Sequence, residues 1–166
     1  MRHRLLPLLP LLLAAASPLQ GQGPRGFVGT WELISRYDQD SLGRHLPEPS
    51  LGDHPTGYLI YDATGHVSAQ LMASARAAGA CTVTAKADAN NLAHINGYDS
   101  YFGRYEVDPA RGIVRHHLDG ALPQADVGRT LERSFRLVGD TLTITFLPGG
   151  PRAPNRLRTL VWHRVG

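Results

Sequence analysis

The chain is poor in cysteine and in lysine. Its 166 residues include one cysteine, Cys81, so no internal disulfide can form. The plain reading of Cys81 is a small, half-buried side chain, with a reactive thiol as the lesser alternative. Lysine occurs once, as Lys86; the other basic residues are arginines. Arg152, Arg156, Arg158 and Arg164 in the tail are spaced apart, as on a solvated face. No basic run is interleaved with aromatics, so a nucleic acid is not an expected partner. The formal charge of +3 comes from 17 Lys+Arg against 14 Asp+Glu, and Arg2 and Arg4 supply two of those positive charges. Without them 15 stand against 14, or +1, so the high pI reflects arginine chemistry more than a basic field. A Gly-rich phosphate loop, a nucleophile elbow and internal repeats are also missing. Ligand spacing for a metal is absent. His116 and His117 are adjacent and point to opposite faces of a strand, and His45, His54, His66 and His94 fall in or near loops. No two carboxylates share one inward face in this reading. Neither a metal nor a cofactor is expected.

What is present begins with a leader. Met1-Arg2-His3-Arg4 is basic, residues 5–16 are apolar, and Ala14-Ala15-Ala16 offers a small-residue cleavage site. This is the pattern of a secretory signal peptide; a spanning helix would need about 20 apolar residues. Residues 1–20 are set aside as leader, and residues 21–166 are expected to form one domain. The mature chain is expected to be periplasmic or secreted, without a stable membrane anchor. Its length of roughly 145 residues allows a proper core without staples.

Beyond the leader, short stretches alternate apolar and polar residues and are separated by turn signals. Residues 27–37 read as a first strand, with Trp31, Leu33 and Ser35 on one face. Residues 38–55 form a long polar connection, of a kind that often borders a binding site. Strands follow at 57–61 and 66–72, joined by Asp62-Ala63-Thr64-Gly65. In the second of these either face could point inward, the polar one bringing Ser68 and Gln70. Residues 73–96 change character. Alanine is abundant, residues 88–95 suggest a short helix, and residues 82–84 could be a strand, so the segment reads as a lid or plug. Strands are expected again at 129–138, 141–147 and 157–165, with the Gly139-Asp140 turn between the first two.

The most informative stretch is 101–120, YFGRYEVDPARGIVRHHLDG. Asp108-Pro109-Ala110-Arg111-Gly112 is strong turn chemistry. Tyr101, Gly103, Tyr105 and Val107 share one face of the first strand; Val114, His116 and Leu118 share one face of the second. If those faces are inward, two tyrosines and a histidine enter the core, which suggests a cavity. Arg133 likewise shares a face with Leu131, Phe135 and Leu137. An inward arginine needs an internal carboxylate or an anionic guest. Alternation aims Glu106, Asp119 and Glu132 away from it. About eight strands at short spacing, joined mostly by hairpins, indicate an all-β closed barrel.

Four motifs in order carry a resemblance: GYLIYDATGHVSAQLM, YFGRYEVD, VRHHLDGALP and FRLVGDTLTI, preceded by Gly29-Thr30-Trp31. Together they resemble the bacterial and fungal lipocalin-like domain family, over residues 27–146. The resemblance implies an antiparallel up-and-down β-barrel of about eight strands, with one short helix or lid segment and a central pocket. By motif match it points to Tyr101, Gly103, Tyr105, His116, Gly128 and Arg133, with Ser68 and Gln70. Leu131 departs from a position that is more often polar in the family. In the family picture Trp31 floors the barrel beside an arginine, here Arg133 or Arg158.

The expected function is binding of a small hydrophobic or amphipathic molecule by Tyr58, Ser68, Gln70, Tyr101, Tyr105, His116 and Arg133. For each side chain there is a plainer alternative: tyrosines as packing, His116 as a satisfied core residue, Arg133 in an internal ion pair. The other function considered is a cofactor-independent isomerase or cyclase acting on such a molecule. His116 would titrate near neutral pH as acid or base, with Tyr101 or Tyr105 as partner and Arg133 stabilising negative charge.

Overall fold

The computed structural model describes residues 26–48, 50–52, 54–74, 76, 83–84, 94–95, 97–148 and 155–165. Residues 1–25, Cys81 and Lys86 lie outside them. Eight strands make a closed antiparallel barrel: β1 (Gly29–Gln39), β3 (Thr56–Tyr61), β4 (His66–Met72), β7 (Tyr98–Asp108), β8 (Ile113–Ala121), β9 (Thr130–Val138), β10 (Thr141–Phe146) and β11 (Leu157–Val165). Around the barrel each strand lies beside its neighbours in this sequence, β11 returns to β1, and β4 pairs with β7. Closure removes the exposed edges that an open sheet of this size would present.

Three short strands lie off this ring. β2 (His45–Leu46) folds back on β1, opposite Asp38 and Gln39. The long connection after β1 therefore opens with a hairpin, whose turn is fixed by the Asp40 carboxylate accepting the Leu42 and Arg44 amides at 2.9 Å. β5 (Val83–Thr84) pairs with β6 (His94–Ile95), and Ile95 pairs with Tyr98 at the start of β7. A short helix was expected over residues 88–95; residues 94–95 are strand, and 88–93 lie outside the described residues. The one helical turn described is a 3-10 turn at Gln124–Asp126.

Period-two alternation decides what enters the barrel. The inward faces contribute Leu59 and Tyr61 from β3, Val67, Ala69 and Leu71 from β4, Tyr101 and Tyr105 from β7, and Leu142, Ile144 and Phe146 from β10. In β1 the alternation slips. The β1–β11 register jumps between Leu33 and Ser35, leaving Ile34 as a bulge. One extra residue reverses the phase. Ser35 was expected inside; Arg36 and Asp38 are buried instead.

Trp31 closes the floor. Its Nε1 donates to the Phe27 carbonyl at 3.1 Å, and an arginine does cover its ring, but not one of the two expected. Arg164, opposite Trp31 in the β1–β11 register, lies 4.1 Å from the ring centroid and donates to the Val28 and Gly26 carbonyls. Arg133 and Arg158 are used elsewhere.

At Gly103 the requirement is close approach. A Cβ there would lie 1.9 Å from the His117 carbonyl oxygen, where the β7–β8 register shifts around Asp119.

Candidate functional site

His116 is the centre of the interior. Strand alternation in IVRHHLDGA sends it inward between Val114 and Leu118, and it is 1% exposed. Two tyrosines reach it from different walls. The Tyr61 hydroxyl of β3 is 2.8 Å from Nε2, and the Tyr101 hydroxyl of β7 is 2.9 Å from Nδ1. Arg133 of β9 hydrogen-bonds Tyr101. A guanidinium can only donate, so the Tyr101 oxygen accepts from it. A neutral imidazole carries one N–H, so one of the two tyrosine hydroxyls donates to it and the other accepts from it. The result is a connected chain, Arg133, Tyr101, His116 and Tyr61, that leaves one tyrosine proton unused.

Burial sets the charge states in this chain. Desolvation, then the Arg133 charge, then His117, hold the His116 pKa well below its ordinary value, so the imidazole is neutral at pH 7. This runs against the expectation that His116 titrates near neutral pH: at rest the imidazole is neutral. Burial, with Arg133 opposing it, pushes Tyr101 up to about 12. Burial, with Tyr101 next, raises Tyr61 well above 10. Arg133 sits over an aromatic face, its guanidinium carbon 3.8 Å from the Phe146 ring centroid. That contact replaces part of the hydration it lost.

The carboxylate facing this cluster is Asp99. It precedes Tyr101 by two residues and is 5% exposed. Burial pushes it up to about 7; the charges of Arg36, Arg133 and Arg158 pull the other way and Asp126 adds to the rise. Glu106, Asp119 and Glu132 point outward as expected. Glu132 pairs with Arg115 at 2.9 Å, and Asp119 lies 3.9 Å from Arg104.

A second polar group continues from the first at one end of the barrel. Arg158 of β11, fully buried, makes a two-point contact with Asp38: Nε to Oδ1 at 2.7 Å and Nη2 to Oδ2 at 2.9 Å. Its Nη2 also donates to Glu48 Oε1 at 2.8 Å. The other Glu48 oxygen accepts from Arg36. Burial alone would raise the Glu48 carboxyl, but Arg36 and Arg158 bring it down to about 2. Burial and the neighbouring Arg158 charge lower Arg36 to about 10. The expectation of no paired inward carboxylates is thus overturned: Asp38 and Glu48 meet on one arginine.

Of the seven residues expected to bind a ligand, the structure brings Tyr101, His116 and Arg133 together. Tyr105 is inward, but its hydroxyl is tied to the Asp62 carbonyl at 2.9 Å and its ring stacks near Phe27. Tyr58, Ser68 and Gln70 stand on the outer wall. Tyr58 pairs with Gln70, and Ser68 with Phe102, in the rows that alternate with the buried ones. There Ser68 and Gln70 border a shallow groove with Tyr98, Ser100 and Phe102. The interior hydroxyl of β3 belongs to Tyr61, because Leu59 fixes the inward phase of that strand.

Five further interior groups were missed for distinct reasons. Asp99 was legible, since β7 begins at Tyr98 and alternation backward from Tyr101 puts it inside. Arg158 was legible in the same way, backward from Leu160 and Trp162. Arg36 and Asp38 were hidden by the bulge. Glu48 lies on a loop, where no periodicity applies.

Comparison with known proteins agrees with this architecture. No curated protein and no solved structure matches the chain. The profile of a lipocalin-like domain matches residues 28–165, which span the barrel from the residue before β1 to the last of β11. With an eight-strand closed barrel and a match over most of its length, the chain belongs to the lipocalin-like domain family.

Proposed function

We propose that this protein is exported and binds a small amphipathic molecule inside the barrel. Binding of small ligands is the general use of lipocalin-like barrels. The observation that supports it here is the polar content of the interior: His116, Asp99, Tyr61, Tyr101 and three arginines, all at most 7% exposed. Stability alone does not favour such a core. Well-packed apolar side chains of similar volume commonly serve as well or better than buried ion pairs. In this hydrogen-bond chain one tyrosine hydroxyl proton, of Tyr61 or Tyr101, is left to turn toward a guest, and it suits a carbonyl or hydroxyl oxygen. Ile144, Leu160, Leu142 and Leu131 offer apolar wall for the body of the molecule.

The test is mass spectrometry of the protein as purified under non-denaturing conditions, followed by a thermal-shift panel of amphipathic compounds. A co-purified compound, or a shift of several degrees that His116→Gln or Arg133→Gln removes, supports the reading. An empty protein that no apolar or amphipathic compound stabilises would overturn it. Bound compounds recovered in altered form would turn it toward isomerase or cyclase chemistry. Export rests on the leader pattern, and the N-terminal residue of protein recovered from a secreting host tests it.

A further inference from the structure

Glu48 supplies the charged contacts between the barrel and the segment linking β2 to β3, beside Arg36 Nη2 to Ser50 Oγ at 3.2 Å, Arg156 Nη1 to the Pro47 carbonyl at 3.1 Å and the buried Leu51. We propose that Arg36 and Arg158 form a receptor for the carboxylate of an amphipathic guest, and that Glu48 is its resident occupant in the guest-free protein. This rests on the interior-binding reading above and adds the chemical class of the guest and the element that admits it.

The hydrogen bonds of Glu48 divide into two sets. Two come from the barrel wall, from Arg36 Nη1 and Arg158 Nη2. Three come from its own segment: the Ser50 hydroxyl, the Ser50 amide at 3.2 Å and the Leu51 amide at 3.1 Å. If the segment moves outward, the second set travels with Glu48. Of the Glu48 contacts only the two to arginine are broken, together with Arg36 Nη2 to Ser50 Oγ and Arg156 Nη1 to the Pro47 carbonyl, and a guest carboxylate has the charge and the two oxygens to replace the Glu48 pair. Asp38 is a different kind of partner. It sits on β1 directly opposite Arg158 in the strand register and stays in place whatever the loop does.

Charge selects the guest. Arg36, Arg133 and Arg158 are all at most 4% exposed. With Glu48 withdrawn, the charge of Arg36 stays inside without its nearest anion. A neutral guest leaves that charge uncompensated, whereas a monoanion restores the balance. Below the arginines the wall is apolar. Arg36 lies in one row with Leu160 and Ile144, and Arg158 in one row with Phe146. Withdrawing the segment also removes Leu51, which is 2% exposed and part of the core, and so makes room for a hydrocarbon body.

Dodecanoate and methyl dodecanoate are suitable probes because they differ in the charge of the head. In the wild-type protein, hydrogen exchange at the Ser50 and Leu51 amides should accelerate when dodecanoate binds, since the segment leaves the barrel. By calorimetry dodecanoate should bind about tenfold more tightly than its ester, and Glu48→Gln should tighten dodecanoate by roughly another tenfold while leaving the ester within about twofold, as expected when an internal competitor for a charged site is removed. If Glu48→Gln does not fold, the exchange measurement on wild-type protein still decides. Equal binding of acid and ester, an equal response of both to Glu48→Gln, or unchanged exchange at Ser50 and Leu51 refutes the receptor while interior binding stands. Failure of both probes and of the wider compound panel overturns both readings.

Discussion

Replacing Asp99 by asparagine should make the protein more stable in alkaline buffer and leave it nearly unchanged in acid. Asp99 carries its proton up to about pH 7 in the folded state, while in the unfolded chain an aspartate ionises near pH 4. Between those values the folded protein binds a proton that the unfolded chain has released, so stability falls as pH rises through the window. Three units at about 1.4 kcal/mol each give a loss of roughly 4 kcal/mol by pH 8 that belongs to this one group. An asparagine is nearly isosteric and does not ionise, so it escapes this loss. For a domain of this size the difference corresponds to roughly 10 °C in Tm at pH 8 and about 1 °C or less at pH 4. The assay is urea unfolding of wild type and Asp99→Asn at half-unit steps from pH 4 to pH 8, reading the gap between the two curves. A gap that does not change with pH, or a variant less stable than wild type at pH 8, would refute the reasoning. Either result would mean that Asp99 is folded as an ionised partner of the arginines.

Other substitutions test other parts of the barrel. His116→Ala leaves a cavity and takes a partner from two buried tyrosine hydroxyls, and should lower stability by about 3–5 kcal/mol in denaturant titration; His116→Gln should recover part of that. Gly103→Ala places a methyl against the His117 carbonyl, so the β7–β8 seam must open. A loss of more than about 3 kcal/mol, or insoluble protein, is expected, and a soluble variant with unchanged Tm would show that the seam can relax. Arg164→Ala removes the lid over Trp31 and two carbonyl contacts, and should cost about 1–3 kcal/mol, with a change in tryptophan fluorescence reporting the exposed ring. As pH falls from about 4 to about 2 the protein should lose stability as Glu48 is protonated. Its folded pKa is depressed to about 2, so its contribution is complete above the ordinary glutamate pKa and disappears as pH falls through the folded value. Acid titration of wild type against Glu48→Gln separates it from the other carboxylates.

The sequence by itself determined the barrel and much of its lining. Strands with a strict period of two, separated by turns such as Asp62-Ala63-Thr64-Gly65 and Gly139-Asp140, need little tertiary information to be placed, because neighbouring side chains must face opposite ways. That logic put Tyr101, His116 and Arg133 inside, where they are. It would also have put Asp99 and Arg158 there, had β7 and β11 been followed to their first residues. Tertiary structure decided the rest. A single bulged residue at Ile34 turned Arg36 and Asp38 inward, and a bulge is defined by the register of two paired strands, which one strand's residue pattern does not give. Which face of the β4 segment pointed in was settled by its pairing with β3 and β7, which left Ser68 and Gln70 outside. The position of Glu48, on the loop after β2 and outside any periodic pattern, came from the fold closing over two arginines. A loop has no period to read, and a buried cation draws in whichever carboxylate the chain can bring to it.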